Sequence, residues 1–354
     1  MDKPSETNVF VCHRPFHILR SCDMVRSLFK GQCNVLINFN MKKLGKKEYQ
    51  EHFRSDALEK HFDKVILVNR NDFFGKWYSW EFRKYYKDSF ADFSGIANSI
   101  PNVKSVFVFS DCELPVEILC HVFKEKTNAK IKIVDEGAAA YALYCKQGWK
   151  KNKYKVLISE FVSRILGYRI NFRGYGLSSI YDESFACWPK LAIFRNPVYK
   201  LQQIDMELMS DVYNSLSLHL DEKRVIYVSN YVDSLWGVPK EFEFAVLKDI
   251  QTCCRDHGYE LYIKPHPIQS NDYYSEFKGC LCDAHIPVEE LMGEKTVVIS
   301  PYSSALATAK ALGLGAICIS GFFGKGDVPL MSFFKKIGVE MADDMSMLSK
   351  MLFD

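Results

Sequence analysis

No segment of the chain approaches the ~20 consecutive apolar residues that cross a bilayer. The apolar runs, such as Val106–Phe109 and Thr296–Ile299, are strand-sized. A membrane-spanning helix is thereby excluded. The polar start Met1-Asp2-Lys3-Pro4-Ser5-Glu6-Thr7 lacks the apolar stretch of a secretory signal, so the cytoplasm is the expected compartment. Charge of one sign is missing too. The 46 Lys and Arg against 43 Asp and Glu leave a net +3, which does not supply the field that nucleic-acid binding needs. Cysteine is plentiful at 12 residues, but no two stand in C-x-x-C spacing, and Cys12, Cys120 and Cys318 sit inside apolar runs. Reduced core thiols are expected, not zinc ligands or disulfides. Also absent are a P-loop, a G-x-G-x-x-G after a strand, a G-x-S-x-G and an H-E-x-x-H. No Asp-x-Asp occurs either, so neither a metal ion nor a cofactor is expected.

What is present is a 354-residue chain, 48% hydrophobic and 25% charged, too long for one core at ~100–200 residues per domain. Short β-branched runs at Asn8–Cys12, Asn34–Asn38, Lys64–Val68, Ser105–Phe109 and Lys130–Val134 alternate with amphipathic stretches, the pattern of a mostly parallel sheet. The pattern blurs from Asn171 to Leu220, where Gly174, Gly176, Pro189 and Pro197 interrupt it. It resumes with strands at Val225–Ser229, Tyr259–Ile263, Thr296–Ser300 and Ala316–Ser320. Helices are expected between them at Glu241–Asp256 (closed by Gly258), Val288–Met292 and Ser304–Leu312. The expected architecture is α/β: residues 1–175 as an acceptor-side Rossmann-like domain, 176–222 as a linker region, and 223–354 as a nucleotide-sugar-binding domain. Two such units in tandem describe the GT-B fold, with ligands at the carboxyl ends of the strands and in a central cleft.

Four strand ends carry chemistry. Lys130–Val134 leads into Asp135-Glu136-Gly137, two adjacent carboxylates whose interaction suits one of them to general-base work on a sugar hydroxyl. Taken alone, the pair reads equally well as an acidic turn capping a helix. Lys264-Pro265-His266-Pro267 places an imidazole between two prolines, able to protonate or hydrogen-bond a leaving phosphate. Ser303 and Ser304 precede an Ala-rich helix, where hydroxyls and free amides suit a single phosphate but equally make an ordinary helix cap. His13-Arg14-Pro15-Phe16-His17 follows the first strand, where Arg14 and the imidazoles can meet acceptor hydroxyls or an acidic group.

With these residues in place, the chain resembles the bacterial lipooligosaccharide sialyltransferase family and, more distantly, the bacterial capsular polysialyltransferases. The shared set is Asp135-Glu136-Gly137, Lys264-Pro265-His266-Pro267 and the Ser303-Ser304 pair, in that order. The resemblance implies a GT-B fold and an inverting transfer of sialic acid from CMP-sialic acid to a surface glycan, lipooligosaccharide or capsule. It implies His266 as the acid or phosphate partner and Ser303 and Ser304 as phosphate ligands. Asp135 is the preferred base, with Glu136 and Asp233 as alternatives. The loop from His13 to His17 departs from the Thr-Pro-x-Gln type of such enzymes, which leaves acceptor identity open. Competing readings are transfer of Kdo or a hexose on the same fold, or a noncatalytic glycan- or nucleotide-binding protein of capsule assembly. A lipid-linked acceptor leads to an expectation of peripheral attachment at the inner membrane face. Lys146, Lys150, Lys151, Lys153 and Lys155 around Trp149 would meet anionic headgroups at up to ~1 kcal/mol per cation, unless they form only a solvated loop. Homodimerisation is left open.

Overall fold

A computed structural model describes residues 6–39, 55–69, 78–110, 113–141, 153–168, 170, 175–213, 223–230, 232–266, 269, 271–284, 286–324 and 330–353. The chain divides into two compact units, 1–202 and 203–354.

Unit 1 is built on seven parallel strands in the order β3-β2-β1-β4-β5-β6-β7. These are β1 (Thr7–Cys12), β2 (Cys33–Phe39), β3 (Lys64–Val68), β4 (Val103–Val108), β5 (Lys130–Val134), β6 (Glu183–Ala186) and β7 (Val198–Lys200). Every residue of β1 is buried, as expected of a central strand covered on both faces by helices. The helices of the unit are α1 (Pro15–Leu28), α2 (Ser55–His61), α3 (Trp80–Asn98), α4 (Leu114–Thr127) and α5 (Lys153–Ile165). Their ends follow local chemistry. Pro15 stands in the first turn of α1, where its missing N–H costs nothing. Ser79 caps α3 by accepting the Phe82 N–H at 3.1 Å. Asn128 closes α4 in the left-handed region at φ 55°.

Unit 2 has five parallel strands in the order β12-β11-β10-β8-β9. They are β8 (Arg224–Val228), β9 (Glu260–Lys264), β10 (Thr296–Ser300), β11 (Gly315–Cys318) and β12 (Glu340–Met341). Its helices are α6 (Met206–Val212), α7 (Val232–Trp236), α8 (Lys240–Asp256), α9 (Ala305–Ala311), α10 (Met331–Lys336) and α11 (Met345–Phe353). The core gathers Val225, Tyr227, Leu247, Ile250, Ile263, Ile299 and Ile317.

In both units the strand order reverses beside the first strand, between β1 and β4 and between β8 and β10. Connections on either side of such a point diverge and leave a crevice at the carboxyl edge of the sheet.

Two expectations change. The stretch 176–222, read as a linker, supplies β6 and β7 to the first sheet, and the units divide at Gln202/Gln203. The helix expected at Val288–Met292 is a 3-10 turn over Val288–Leu291. No disulfide joins any of the described cysteines. Among the described residues, no helix is long and apolar enough to cross a membrane.

Tyr175, within the blurred stretch, is fully buried. Its hydroxyl lies 2.9 Å from the Phe109 carbonyl and 3.0 Å from that of Val134, so one O–H serves the ends of β4 and β5 together. Tyr175→Phe leaves both carbonyls short of a donor and is expected to lower stability by about 1–3 kcal/mol. Urea unfolding of the variant measures the loss; an unchanged midpoint would remove this role.

Candidate active site

The carboxyl edge of the first sheet gathers charge at the β1/β4 reversal. His13 and Arg14 leave β1, His17 lies in the first turn of α1, Glu113 precedes α4, and Glu136 follows β5. Glu113 Oε1 lies 3.4 Å from His13 Nε2 and 3.6 Å from Arg14 Nη2. Glu136 Oε2 lies 3.6 Å from Arg14 Nη1 and 3.2 Å from His17 Nε2. The half-exposed guanidinium of Arg14 therefore bridges two largely buried carboxylates. The His17 ring stacks on Phe109 at 4.6 Å and meets the His13 ring edge-on at 4.4 Å.

Burial alone would raise the Glu113 carboxyl. The hydrogen bond and charge of His13, with Ser110 and Arg14, outweigh it and hold Glu113 down to about 2. Burial, reinforced by the charges of His13 and Arg14, keeps His17 well below its ordinary 6.5. His17 is thus neutral near pH 7, and its Nε2–H donates to the acceptor-only carboxylate of Glu136. Ligand atoms of His13, His17 and Glu136 lie within 4.8 Å of one another, a grouping able to receive a cation. The guanidinium of Arg14 already brings positive charge to that carboxylate.

Asp135 points elsewhere. It is 1% exposed and accepts from the Tyr141 hydroxyl and, at 2.8 Å, from the Cys187 N–H. Burial raises its pKa, partly offset by the Arg20 charge and by the bonds from Tyr141 and Cys187. Arg20, itself fully buried, also donates to Asp23 at 2.9 Å and to the Gln202 carbonyl at 2.8 Å. Asp135 is a brace between the turn after β5 and the end of β6, and Glu136 is the carboxylate left at the edge. Gly137 takes φ 100°, ψ −141°, a conformation essentially closed to other residues, and turns the chain directly after the two acids.

In unit 2 the loops after β8, β9 and β10 leave from adjacent strands at one edge. Lys264, expected to meet substrate, is buried, and its ammonium donates to the Pro265 and Ala284 carbonyls, each at 2.9 Å. It serves the backbone, and its charge also favours the buried carboxylate of Glu289. His266 is half-buried, and its backbone is locked by Gln269. The His266 N–H donates to Gln269 Oε1 at 3.1 Å, and the Gln269 N–H returns to the His266 carbonyl at 2.8 Å. Pro267 lies outside the described residues. Ser303 Oγ accepts the Ala305 N–H at 3.2 Å, so Ser303 acts as a cap while its O–H stays available; Ser304 is exposed at the start of α9. Asp233 sits half-buried on α7, beyond β8.

Behind His266 runs a buried chain of hydroxyls. Ser229 Oγ lies 2.7 Å from Gln269 Oε1, and the Tyr274 hydroxyl bonds Ser229 Oγ. Glu243 Oε1 is 2.7 Å from the hydroxyls of both Tyr227 and Tyr274, and its Oε2 is 3.0 Å from that of Tyr273. These are five oxygen–oxygen contacts, and Tyr227, Tyr273, Tyr274 and Ser229 supply four hydrogens. Gln269 Oε1 is fixed as an acceptor by the His266 N–H. The set is completed by a hydroxyl hydrogen shared between two acceptors, as at Tyr274, or by a proton on Glu243. Burial likewise raises the pKa of Glu243, against hydrogen bonds from the three tyrosines and with a smaller push from the Asp233 charge.

The sequence profile of the alpha-2,8-polysialyltransferases matches residues 8–314. The chain belongs to the alpha-2,8-polysialyltransferase family. It is a sialyl-transferring glycosyltransferase by family, and the match falls on the polysialyltransferase side of the resemblance seen in the sequence. No curated protein matches the chain. Among solved structures, a sialyltransferase from Photobacterium damsela aligns at TM-score 0.52 and 12% identity, covering 96% of this chain and 81% of its own. A UDP-N-acetylglucosamine 2-epimerase aligns at TM-score 0.54 and 10% identity, covering 98% and 86%. The wall teichoic acid polymerase TagF aligns at 0.50 and 12%, covering 99% and 79%. At such identities the likeness concerns the fold, which is GT-B. In this polysialyltransferase-family chain, four residues of the sequence motifs (His13, Arg14, His17 and Glu136) meet in unit 1, while Asp135 and Lys264 are taken up by packing. Glu113, Gln269 and Glu243 carried no motif; only the position of Glu113, just past a strand, was a signal.

The raised pKa of Glu243 has a thermodynamic consequence. The unfolded chain releases this proton near pH ~4.3, whereas the folded chain retains it to higher pH. Its contribution to stability is therefore full below ~4.3 and declines, by up to ~1.4 kcal/mol per pH unit, until the raised folded pKa is passed. Glu243→Gln, which supplies neutral donors of the same shape, should fold and should flatten that decline in melting curves taken from pH 4 upward. A parallel pH profile in wild type and variant would count against the proton.

Proposed function

We propose that the protein moves sialic acid from CMP-sialic acid to a hydroxyl of a surface glycan, with inversion and without a metal ion. Glu136 acts as base and His266 as partner of the leaving phosphate. The observation that carries this reading is the division of labour between the adjacent acids. Asp135 is spent on Arg20, Tyr141 and Cys187, while Glu136 stays at the strand edge beside a neutral His17 and the half-exposed Arg14.

In the reaction as proposed, Glu136 takes the proton of the acceptor hydroxyl, whose oxygen forms the bond to the anomeric carbon. The bond from that carbon to the phosphate oxygen breaks, its electron pair leaves with CMP, and His266 donates to the departing oxygen. The Ser303 and Ser304 hydroxyls at the β10 edge are suited to receive the phosphate. An acidic acceptor, as the family name suggests, would find a cation in Arg14. Acceptors of this kind are often lipid-linked, which gives the protein a reason to work at a membrane surface.

Three variants test the assignment in a CMP-release assay. Glu136→Gln should lower kcat by ~10²–10⁴-fold, the range of a positioned acid or base, with CMP binding unchanged. His266→Ala should lower kcat similarly, and a donor with a better leaving group should restore part of the loss. Asp135→Asn should lower the melting temperature first, since it disturbs a buried charge network. Near-normal turnover in a folded Glu136→Gln would return the base to Asp135 or Asp233. Wild-type protein that binds CMP and never consumes donor, with a good acceptor present, would favour the noncatalytic reading.

The phosphate site is expected to need no divalent ion. Calorimetry should show CMP binding in EDTA; binding seen only after magnesium is added would overturn that part of the proposal.

A further inference from the structure

The helix α5 presents its faces in the reverse of the usual order. An amphipathic helix of a globular domain buries its apolar stripe and shows its polar face to water. Here the side chains of Glu160 and Ser163 are buried, whereas Tyr154 is 81% exposed, Ile158 63%, Phe161 65% and Ile165 68%. Positions 154, 158, 161 and 165 recur every three or four residues and form one continuous stripe, joined by the exposed Leu157. Over 13 residues the helix extends about 20 Å. An outward apolar stripe of this size is a docking surface, not the scattered exposure normal for a protein exterior.

The charge around the stripe selects the occupant. At 100° per residue, position 164 falls on one flank of the stripe and carries the exposed Arg164. From 142 to 166 the sequence holds six cations, Lys146, Lys150, Lys151, Lys153, Lys155 and Arg164, against one acid, Glu160. The single acid is turned inward. This short segment is more basic than the whole chain, whose net charge is +3. A basic border on an apolar stripe matches a surface with negative headgroups over hydrocarbon. The sequence pointed to the lysines around Trp149; Lys146, Trp149, Lys150 and Lys151 lie outside the described residues, and the apolar stripe on α5 is the feature only the structure reveals.

We propose that α5 lies in the interface of an anionic lipid bilayer, with Tyr154, Ile158, Phe161 and Ile165 inserted and the flanking cations against the headgroups. The proposal goes beyond the catalytic reading and does not depend on which donor or acceptor is used.

Flotation of the full-length protein with vesicles tests it. The protein should float with 3:1 phosphatidylcholine:phosphatidylglycerol vesicles, much less with pure phosphatidylcholine, and less again as salt rises. Ile158→Glu with Phe161→Glu should cut the bound fraction at least tenfold. Both positions are exposed, so melting temperature and CMP release from the donor, with a water-soluble acceptor present, should be unchanged. No flotation, equal flotation on both lipids, or flotation indifferent to the double substitution would overturn the proposal. So would a wild-type dimer in ultracentrifugation that the double substitution dissolves without any vesicle binding, since the stripe would then be an interface between copies. Failure of catalysis with vesicle binding intact would overturn only the catalytic reading.

Discussion

The Asp135 carboxylate is removed from water, and it is tolerable there only because Arg20, Tyr141 and the Cys187 N–H meet it. That requirement shapes one end of unit 1. Arg20 must come inward from α1, and the start of the segment after β6 must lie against the turn after β5. The same guanidinium holds the carbonyl of Gln202, the last residue of the unit. Successive residues leaving a strand point to opposite sides. Once Asp135 is committed to the interior, its neighbour Glu136 is left on the other side, at the edge. One buried charge thereby sets the position of a second, less buried one.

Unit 2 obeys a related rule with different groups. Lys264 is buried as well, and its ammonium donates to two backbone carbonyls. Glu243 is accommodated by the hydroxyls of three tyrosines, one of which continues the chain through Ser229 to Gln269. Gln269 in turn clamps the backbone of His266 from both sides. The rigidity that the flanking prolines suggested thus comes, among the described residues, from a polar network that starts on α8.

Much of the fold was legible because central parallel strands are buried on both faces and read as β-branched runs. All nine strand expectations mark real strands and lie within two residues of the observed bounds at each end. β6 and β7 escaped notice because they are four and three residues long at the edge of the sheet, amid Gly and Pro. The site was legible as strand ends, since a carboxyl edge is a topological fact that sequence order implies. Which side chain of a pair faces inward was not legible. Asp135 and Glu136 are chemically alike, and the choice is made by Arg20 and Cys187, over 50 residues from the acids in the case of Cys187 and over 100 in that of Arg20. Glu113 and Glu243 were hidden for the same reason: each acquires its partners only when distant segments pack.

The electrostatics around Glu136 bear on what it can do in the proposed reaction. Every full positive charge held against a carboxylate lowers its affinity for a proton. A protonated His17 at 3.2 Å would therefore weaken Glu136 as a base. Burial against Phe109, with His13 and Arg14 nearby, keeps His17 neutral, so it orients Glu136 through a hydrogen bond without the full charge. Glu113 contributes from the other side. Held ionised by His13 and Arg14, it shares the guanidinium that would otherwise pair with Glu136 alone. The half-exposed Arg14 is further screened by water. The arrangement fixes Glu136 in place through a neutral hydrogen-bond partner and a cation that it shares with Glu113.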